Sequence, residues 1–319
     1  MSTTGIPKTL GAIMLGGLFA TLLAGMVNLQ SVFYFRSYKK DSVQLKLLIL
    51  AVWFLDNLHT SFIWGGMWYC LIEDYGERDK VDLIPWCIAL TIIITALVTF
   101  LVHCFFARRI FLLSKKNWFM TLPVLVLTLV RLVAASVSTY EMLHYHSFDL
   151  FRVHARWIFT LGLSVSSLVD IFITGSLVHL FRLNRTESGR FNHIIDKLIL
   201  YGLESGSATC IGTVISMLCW VITPQTLVFL GLHFVIGKLY ANSLLVTLNA
   251  RKNIQHVHVG PTCSCEQQGG PVVFLEPRPQ KTSGQYLAGP SHKIPTELQI
   301  NVQTQQNVQY DETSIASSK

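Results

Sequence analysis

Nine ionisable side chains sit in stretches too oily to hold them without a reason. They are Asp56, Arg131, Asp170, Glu204 and Lys238, joined by His59, His103, His179 and His233. Placing a charge at bilayer depth costs on the order of 2.5–3.5 kcal/mol even on lenient insertion scales, so such groups pair with one another or line a site. Carboxylates, imidazoles and an amine together could bind a polar ligand, hold an ion or relay a proton. A mid-helix lysine can also form a Schiff base with a carbonyl cofactor. That chemistry wants a carboxylate counter-ion, but the third apolar stretch has none, and Phe234 stands one turn before Lys238. Metal-assisted hydrolysis is equally poorly served, because Asp56 and His59 form a single i,i+3 pair with no HxxxH or HExxH beside it. No cofactor, no metal and no enzymatic activity are expected.

Helical spacing shows which of these groups share a face. Asp56, His59, Thr60 and Ile63 lie three or four residues apart, as do Ser166, Asp170 and Thr174. Gly231, Lys238, Asn242 and Asn249 form a third face. Gly202 and Gly206 flank Glu204, and Gly16, Ala20 and Ala24 repeat along the first stretch, a small-residue spacing that lets backbones approach. Sequence neighbours usually touch, so the expected ion pairs are Arg131–Asp170 and Glu204–Lys238, with Asp56–His59 left over. Two readings stay open. The pairs either pin the register of a bundle, or Asp56, His59, Arg131, Asp170, Glu204, Lys238 and Asn242 line a buried site. His103 and His179, near the ends of their stretches, suit an interface better than a reaction.

The elements that must position these residues follow from composition. The 319 residues are 51% hydrophobic and 13% charged, with a mean hydropathy of +0.47, which excludes a soluble or fibrous chain. About 20 apolar residues cross a bilayer as a helix, and seven stretches qualify: 10–35, 45–72, 84–107, 118–141, 157–181, 194–221 and 226–250. The short alternation of barrel strands is absent. The fold class is therefore an all-α membrane protein, a bundle of seven transmembrane helices over residues 1–252. Pro85 and Pro123 are expected at helix starts, where proline is tolerated. Residues 253–319 hold six of the ten prolines and few large apolar residues, the signature of a disordered tail. Cys263 and Cys265 in that tail are open to palmitoylation or to remaining plain thiols. Cys70 and Cys87 flank the second connection, where a bridge is possible in an oxidising compartment.

Charge sets the direction. The net charge is +7, yet the basic residues are not gathered on a soluble face, so nucleic acid is not the expected partner. Connections one, three and five with the start of the tail carry fourteen basic residues, among them Arg36, Lys39, Lys40, Arg108, Arg109, Lys115, Lys116, Arg182 and Arg251, against five on the other side. The positive-inside rule then puts the N-terminus outside and the C-terminus in the cytoplasm, with the plasma membrane favoured. That basic face suits anionic lipid headgroups. The first stretch is too long, and too strongly followed by Arg36, Lys39 and Lys40, for a cleaved signal peptide. The sequon Asn184-Arg185-Thr186 falls on the cytoplasmic side of this arrangement.

Marks of the rhodopsin-like receptors are missing. The third stretch ends His103-Cys104-Phe105-Phe106-Ala107-Arg108-Arg109 with no acid-Arg-aromatic triplet, and no proline interrupts stretches six and seven. A different resemblance is present in Tyr34-Phe35, Tyr38, Asp41 and Lys46, then Trp53-Phe54-Leu55-Asp56 and His59-Thr60. It continues in Glu204-Ser205-Gly206 and in Lys238-Leu239-Tyr240-Ala241-Asn242-Ser243-Leu244-Leu245, with Leu248-Asn249-Ala250-Arg251. These segments resemble a family of multi-spanning membrane proteins from mushroom-forming fungi that is catalogued as a domain of unknown function. The resemblance covers most of residues 10–251 and implies a seven-span protein without naming an activity. The expected function is a receptor-like protein that binds a small ligand at the buried polar site and signals to a cytosolic partner through its basic loops and tail. A transporter or proton-coupled permease, and a non-catalytic membrane organiser, are the alternatives.

Overall fold

In a bilayer every backbone N–H and C=O must find its partner within the chain, so long apolar runs wind into helices. The computed structural model describes residues 6–73, 82–183, 189–223 and 226–256, with side chains described over 10–73, 82–183, 206–223 and 226–251. The helices are α1 (Ile6–Ser37), α2 (Val43–Trp68), α3 (Trp86–Leu113), α4 (Trp118–Tyr145), α5 (Phe148–His154), α6 (Arg156–Leu183), α7 (Gly189–Ile222) and α8 (Val228–His256). A π-helical turn, Tyr69–Glu73, extends α2. Six of them (α1, α2 with its extension, α3, α4, α6 and α8) are long and apolar enough to cross a membrane. Within α7 the described apolar part, Gly206–Ile222, is shorter than that. The expected tail lies outside the described residues, as do Cys263, Cys265 and Asn184.

Local chemistry sets the boundaries. The Asn117 side chain accepts from the Phe119 N–H at the start of α4, and His146 closes that helix in the left-handed region at φ 53°. Sequence reasoning did not anticipate α5, a short helix started by Ser147, whose hydroxyl accepts from the Leu150 N–H. Pro123, expected at a helix start, instead lies inside α4, five residues past its first residue. Asp82 ties the segment before α3 to α5 by accepting from the Ser147 hydroxyl and from the Asp149 N–H at 3.0 Å. Arg152 of α5 meets Asp149 at 2.8 Å. Burial pulls its guanidinium below the usual range, against the opposing pull of Asp149 and Asp82. No disulfide joins Cys70 to Cys87.

Each long helix packs beside its sequence neighbour, and α8 returns to lie along α1. The last helix also touches α2 and α3, so it is enclosed on nearly all sides. Side-chain contacts give the directions. Gly16 meets Gly231, Asn242 donates to the Leu23 carbonyl at 3.2 Å, and Asn249 donates to the Gln30 carbonyl at 3.0 Å. Positions rise together along both helices, so α1 and α8 are parallel. A Cβ on Gly16 would stand 2.4 Å from the Gly231 Cα, and one on Gly231 would stand 2.4 Å from the Ala12 carbonyl oxygen. Only glycine permits that backbone-to-backbone approach.

The outside of the bundle is oily. Leu15, Leu18, Leu22, Met26 and Leu29 of α1 are exposed at three- and four-residue spacing, the stripe a lipid-facing helix presents. At one end of the bundle the connections α1–α2 and α3–α4, the adjoining ends of α2 and α3 and the last turn of α6 gather Lys39, Lys40, Lys46, Arg108, Lys115, Lys116 and Arg182. Arg109, expected on this basic face, is instead buried with its guanidinium 5.0 Å from the Phe181 ring centre.

Candidate functional site

Among the described residues α8 takes part in three polar assemblies, two in the interior and one at the basic end. The first joins α8 to α2. Lys238 is fully buried, and its ammonium lies 3.0 Å from Asp56 Oδ1, 2.6 Å from the Asp56 carbonyl oxygen and 2.7 Å from Thr60 Oγ1. An ammonium has three N–H donors, and three acceptors surround this one. Among the described residues the carboxylate that meets Lys238 is Asp56, because α8 lies against α2 as well as α7, and the expected Glu204–Lys238 pair falls outside them. The Glu204 side chain lies outside the described residues. The Thr60 hydroxyl donates to the same Asp56 carbonyl at 2.9 Å, and the other carboxylate oxygen of Asp56 is buried without a partner.

The second assembly joins α3, α4, α6 and α8 around Asp170. His103 Nε2 approaches Asp170 Oδ1 at 3.2 Å, and the Tyr240 hydroxyl donates to Oδ2 at 2.7 Å. Thr128 stands 3.4 Å from the other His103 nitrogen, and Ser166 stands 3.0 Å from the Tyr240 oxygen. Arg131 was the expected partner of Asp170. Among the described residues no ion pair within 4.0 Å joins them; the guanidinium instead lies 5.5 Å from the centre of the Tyr240 ring. Tyr240 mediates by offering its ring face to the cation and its hydroxyl to the carboxylate. His103, expected near an interface, is 1% exposed and belongs to this network.

The third assembly closes the basic end. Asp41 accepts from Arg251 at 2.6 Å and from the Tyr34 hydroxyl at 2.7 Å. The Arg251 guanidinium lies 4.6 Å from the centre of the Tyr38 ring, and the Tyr38 hydroxyl donates to the Asn249 carbonyl at 3.0 Å. Tyr34, Tyr38, Asp41, Asn249 and Arg251 therefore form one clasp between α8 and the end of α1. Asn242, a candidate site residue, spends its amide on the Leu23 and Lys238 carbonyls and so also holds α8 to α1.

Two histidines lie between the first two assemblies and the opposite end. His59 bonds Thr95 at 3.0 Å through Nε2, while its Nδ1 is buried without a partner. His233 is 5% exposed, and neither of its ring nitrogens has one. Its ring centre is 6.2 Å from that of Phe159, beneath an aromatic cluster of Phe151, Phe159, Trp220 and Phe229. The structure thus brings Asp56, His59 and Lys238 together, and Arg131 with Asp170, while assigning Asn242 to helix packing. Sequence reasoning missed Tyr240 and His103 as members of the site. Tyr240 stood within the Lys238–Leu245 segment that carries the family resemblance, and His103 was already among the ionisable groups of the apolar stretches. Among the described residues no cluster of His, Cys, Asp and Glu could hold a metal ion.

No curated protein and no solved structure matches the chain. Residues 166–253, from the middle of α6 through α7 to the last turns of α8, match the family model described as "Family of unknown function (DUF6534)". That segment carries Asp170, Glu204, His233, Lys238, Tyr240, Asn242 and Arg251, so more than a quarter of the chain, including α8, is similar to a domain of unknown function on an apolar, all-helical framework.

Proposed function

We propose that this is a seven-span integral membrane protein of receptor-like layout, with its N-terminus outside and its C-terminus at the cytoplasmic face of the plasma membrane. The seventh crossing is supported by direction. Helix α6 is antiparallel to α7 through Arg156–Val221, Thr160–Trp220 and Ser167–Thr213, and α8 is parallel to α1. With α1 and α6 pointing the same way across the alternating spans, α8 regains that direction only if α7 returns across the bilayer. The orientation rests on the clustered basic residues of one end. The motif similarity favours an origin in mushroom-type fungi.

In this reading the interior binds a small polar ligand, without covalent chemistry, and α8 carries the signal to a cytosolic partner. One observation carries it. The same helix holds Lys238 and His233 at depth and Asn249 and Arg251 in the clasp at the basic end. A ligand that shifts α8 at His233 or Lys238 loads that clasp through a continuous helix, about 20–27 Å away at 1.5 Å per residue. The test is stabilisation of the purified protein in lipid nanodiscs by a panel of small polar metabolites, with any copurified ligand identified by mass spectrometry. Binding without flux in proteoliposomes supports the receptor-like reading. Uptake driven by membrane potential would replace it with a permease, and neither binding nor flux would leave the polar network as architecture.

A further inference from the structure

The interior groups divide into those already engaged and those still open. Lys238 has an acceptor for each donor, Asn242 is bonded to α1 and α8, and both oxygens of Asp170 are taken by His103 and Tyr240. Asp56 Oδ2 and Asn242 Oδ1 are also buried without partners, but as acceptors they cannot hold an anion; the donor groups still open lie nearer the aromatic cluster. Arg131 is 6% exposed and, among the described residues, has no carboxylate within 4.0 Å. His233 has two unpartnered ring nitrogens, and His59 has one. His233 stands two turns before Tyr240 on the same face of α8, Arg131 lies over that Tyr240 ring at 5.5 Å, and His59 packs on Phe234, the residue after His233. A guanidinium is a planar fork that cannot shed its charge, and its best complement is a carboxylate met by two parallel hydrogen bonds. A neutral imidazole beside it adds one further donor. The surrounding walls are apolar: Phe159 lies against His233, and Phe234 meets His59 edge-on at 6.4 Å.

We propose that Arg131, His233 and His59 form the anchoring end of a site for a small organic monocarboxylate, its carboxylate on the Arg131 fork and its apolar body against Phe159 and Phe234. This deepens the ligand-site reading above and rests on it. It moves the contact residues away from Lys238 and Asn242, which the fold uses for its own bonds, toward the unspent donors. The carboxylate would compensate the buried guanidinium that Tyr240 reaches only through its ring.

Benzoate is the probe, with benzamide as its neutral isostere and chloride and phosphate as other anions, measured by calorimetry on the full chain in lipid nanodiscs. Benzoate should bind and benzamide should not. Arg131→Gln should weaken benzoate by about 10- to 100-fold, the weight of a charge-assisted contact. His233→Phe, which keeps the ring volume, should weaken it by a smaller factor and serves alone if Arg131→Gln does not fold. Equal binding of benzamide, unchanged affinity in a folded Arg131→Gln protein, or binding of chloride or phosphate alone would each overturn the assignment. So would non-additive destabilisation by Glu204→Gln and Arg131→Gln, which would give Arg131 an internal partner. If benzoate fails while neutral metabolites stabilise the protein, the carboxylate inference falls and the ligand-site reading stands; if both fail, both fall.

Discussion

Removing one member of the Asp56–Lys238 pair should cost far more than removing both. In Lys238→Met the Asp56 carboxylate, 1% exposed, loses the ammonium at 3.0 Å, while its second oxygen already lacks a partner. A buried charge left without its counter-charge costs about 3–5 kcal/mol. The Asp56 carbonyl keeps the Thr60 hydroxyl at 2.9 Å, so the backbone contributes little to the loss. At about 2–4 °C per kcal/mol for a chain region of this size, Lys238→Met should melt roughly 6–20 °C below the wild type. Asp56→Leu alone strands the ammonium and should lose a similar amount. The double variant Asp56→Leu with Lys238→Met exchanges two desolvated charges for apolar groups of related size and should recover most of the loss. Thermal unfolding in nanodiscs, followed by tryptophan fluorescence, completes the double-mutant cycle. If Lys238→Met melts within about 1 kcal/mol of the wild type, or if the double variant loses the sum of the two single losses, the buried pair does not hold α2 to α8 and the reasoning is wrong.

Other perturbations separate packing, the clasp and orientation. Gly16→Val places a side chain 2.4 Å from the Gly231 Cα and should abolish the folded fraction in size-exclusion profiles, whereas Gly25→Ala, with nothing within 4 Å, should leave it unchanged. Asp41→Asn keeps the shape but removes the charge that holds Arg251 at 2.6 Å, in a pair 15% and 17% exposed. Partial exposure holds its cost to about 1 kcal/mol, and faster amide exchange around Asn249–Arg251 is the readout. For topology, a cysteine at Lys115 should be labelled only from the cytoplasmic side, a cysteine at Asp149 only from outside, and Asn184 should carry no glycan in cells. Labelling with the sides exchanged would invert the protein.

Much of the framework was legible in the chain because membrane burial is a one-dimensional constraint. Runs of about 20 apolar residues must be helices, and the six helices that qualify overlap six of the expected stretches. Small-residue spacing marked Gly16, Ala20 and Ala24, and Gly16 does meet Gly231 at backbone distance. Depth also selected the right kinds of residue, since Asp56, His59, Arg131, Asp170, Lys238 and Asn242 are all buried. The short helix α5 was not legible, because a single capping serine before seven residues carries too little periodicity to declare itself.

Partners were a different matter. Sequence adjacency paired Lys238 with Glu204 and Arg131 with Asp170, yet a helix is a cylinder with several neighbours, and adjacency names only two of them. The return of α8 along α1 brings Lys238 against Asp56 and interposes Tyr240 between Arg131 and Asp170. The residue types, their depth and the helical framework are properties of the chain read locally. Which donors are spent on the fold and which stay open at Arg131, His233 and His59 depends on where the long helices pack around one another, and that only the tertiary structure decides.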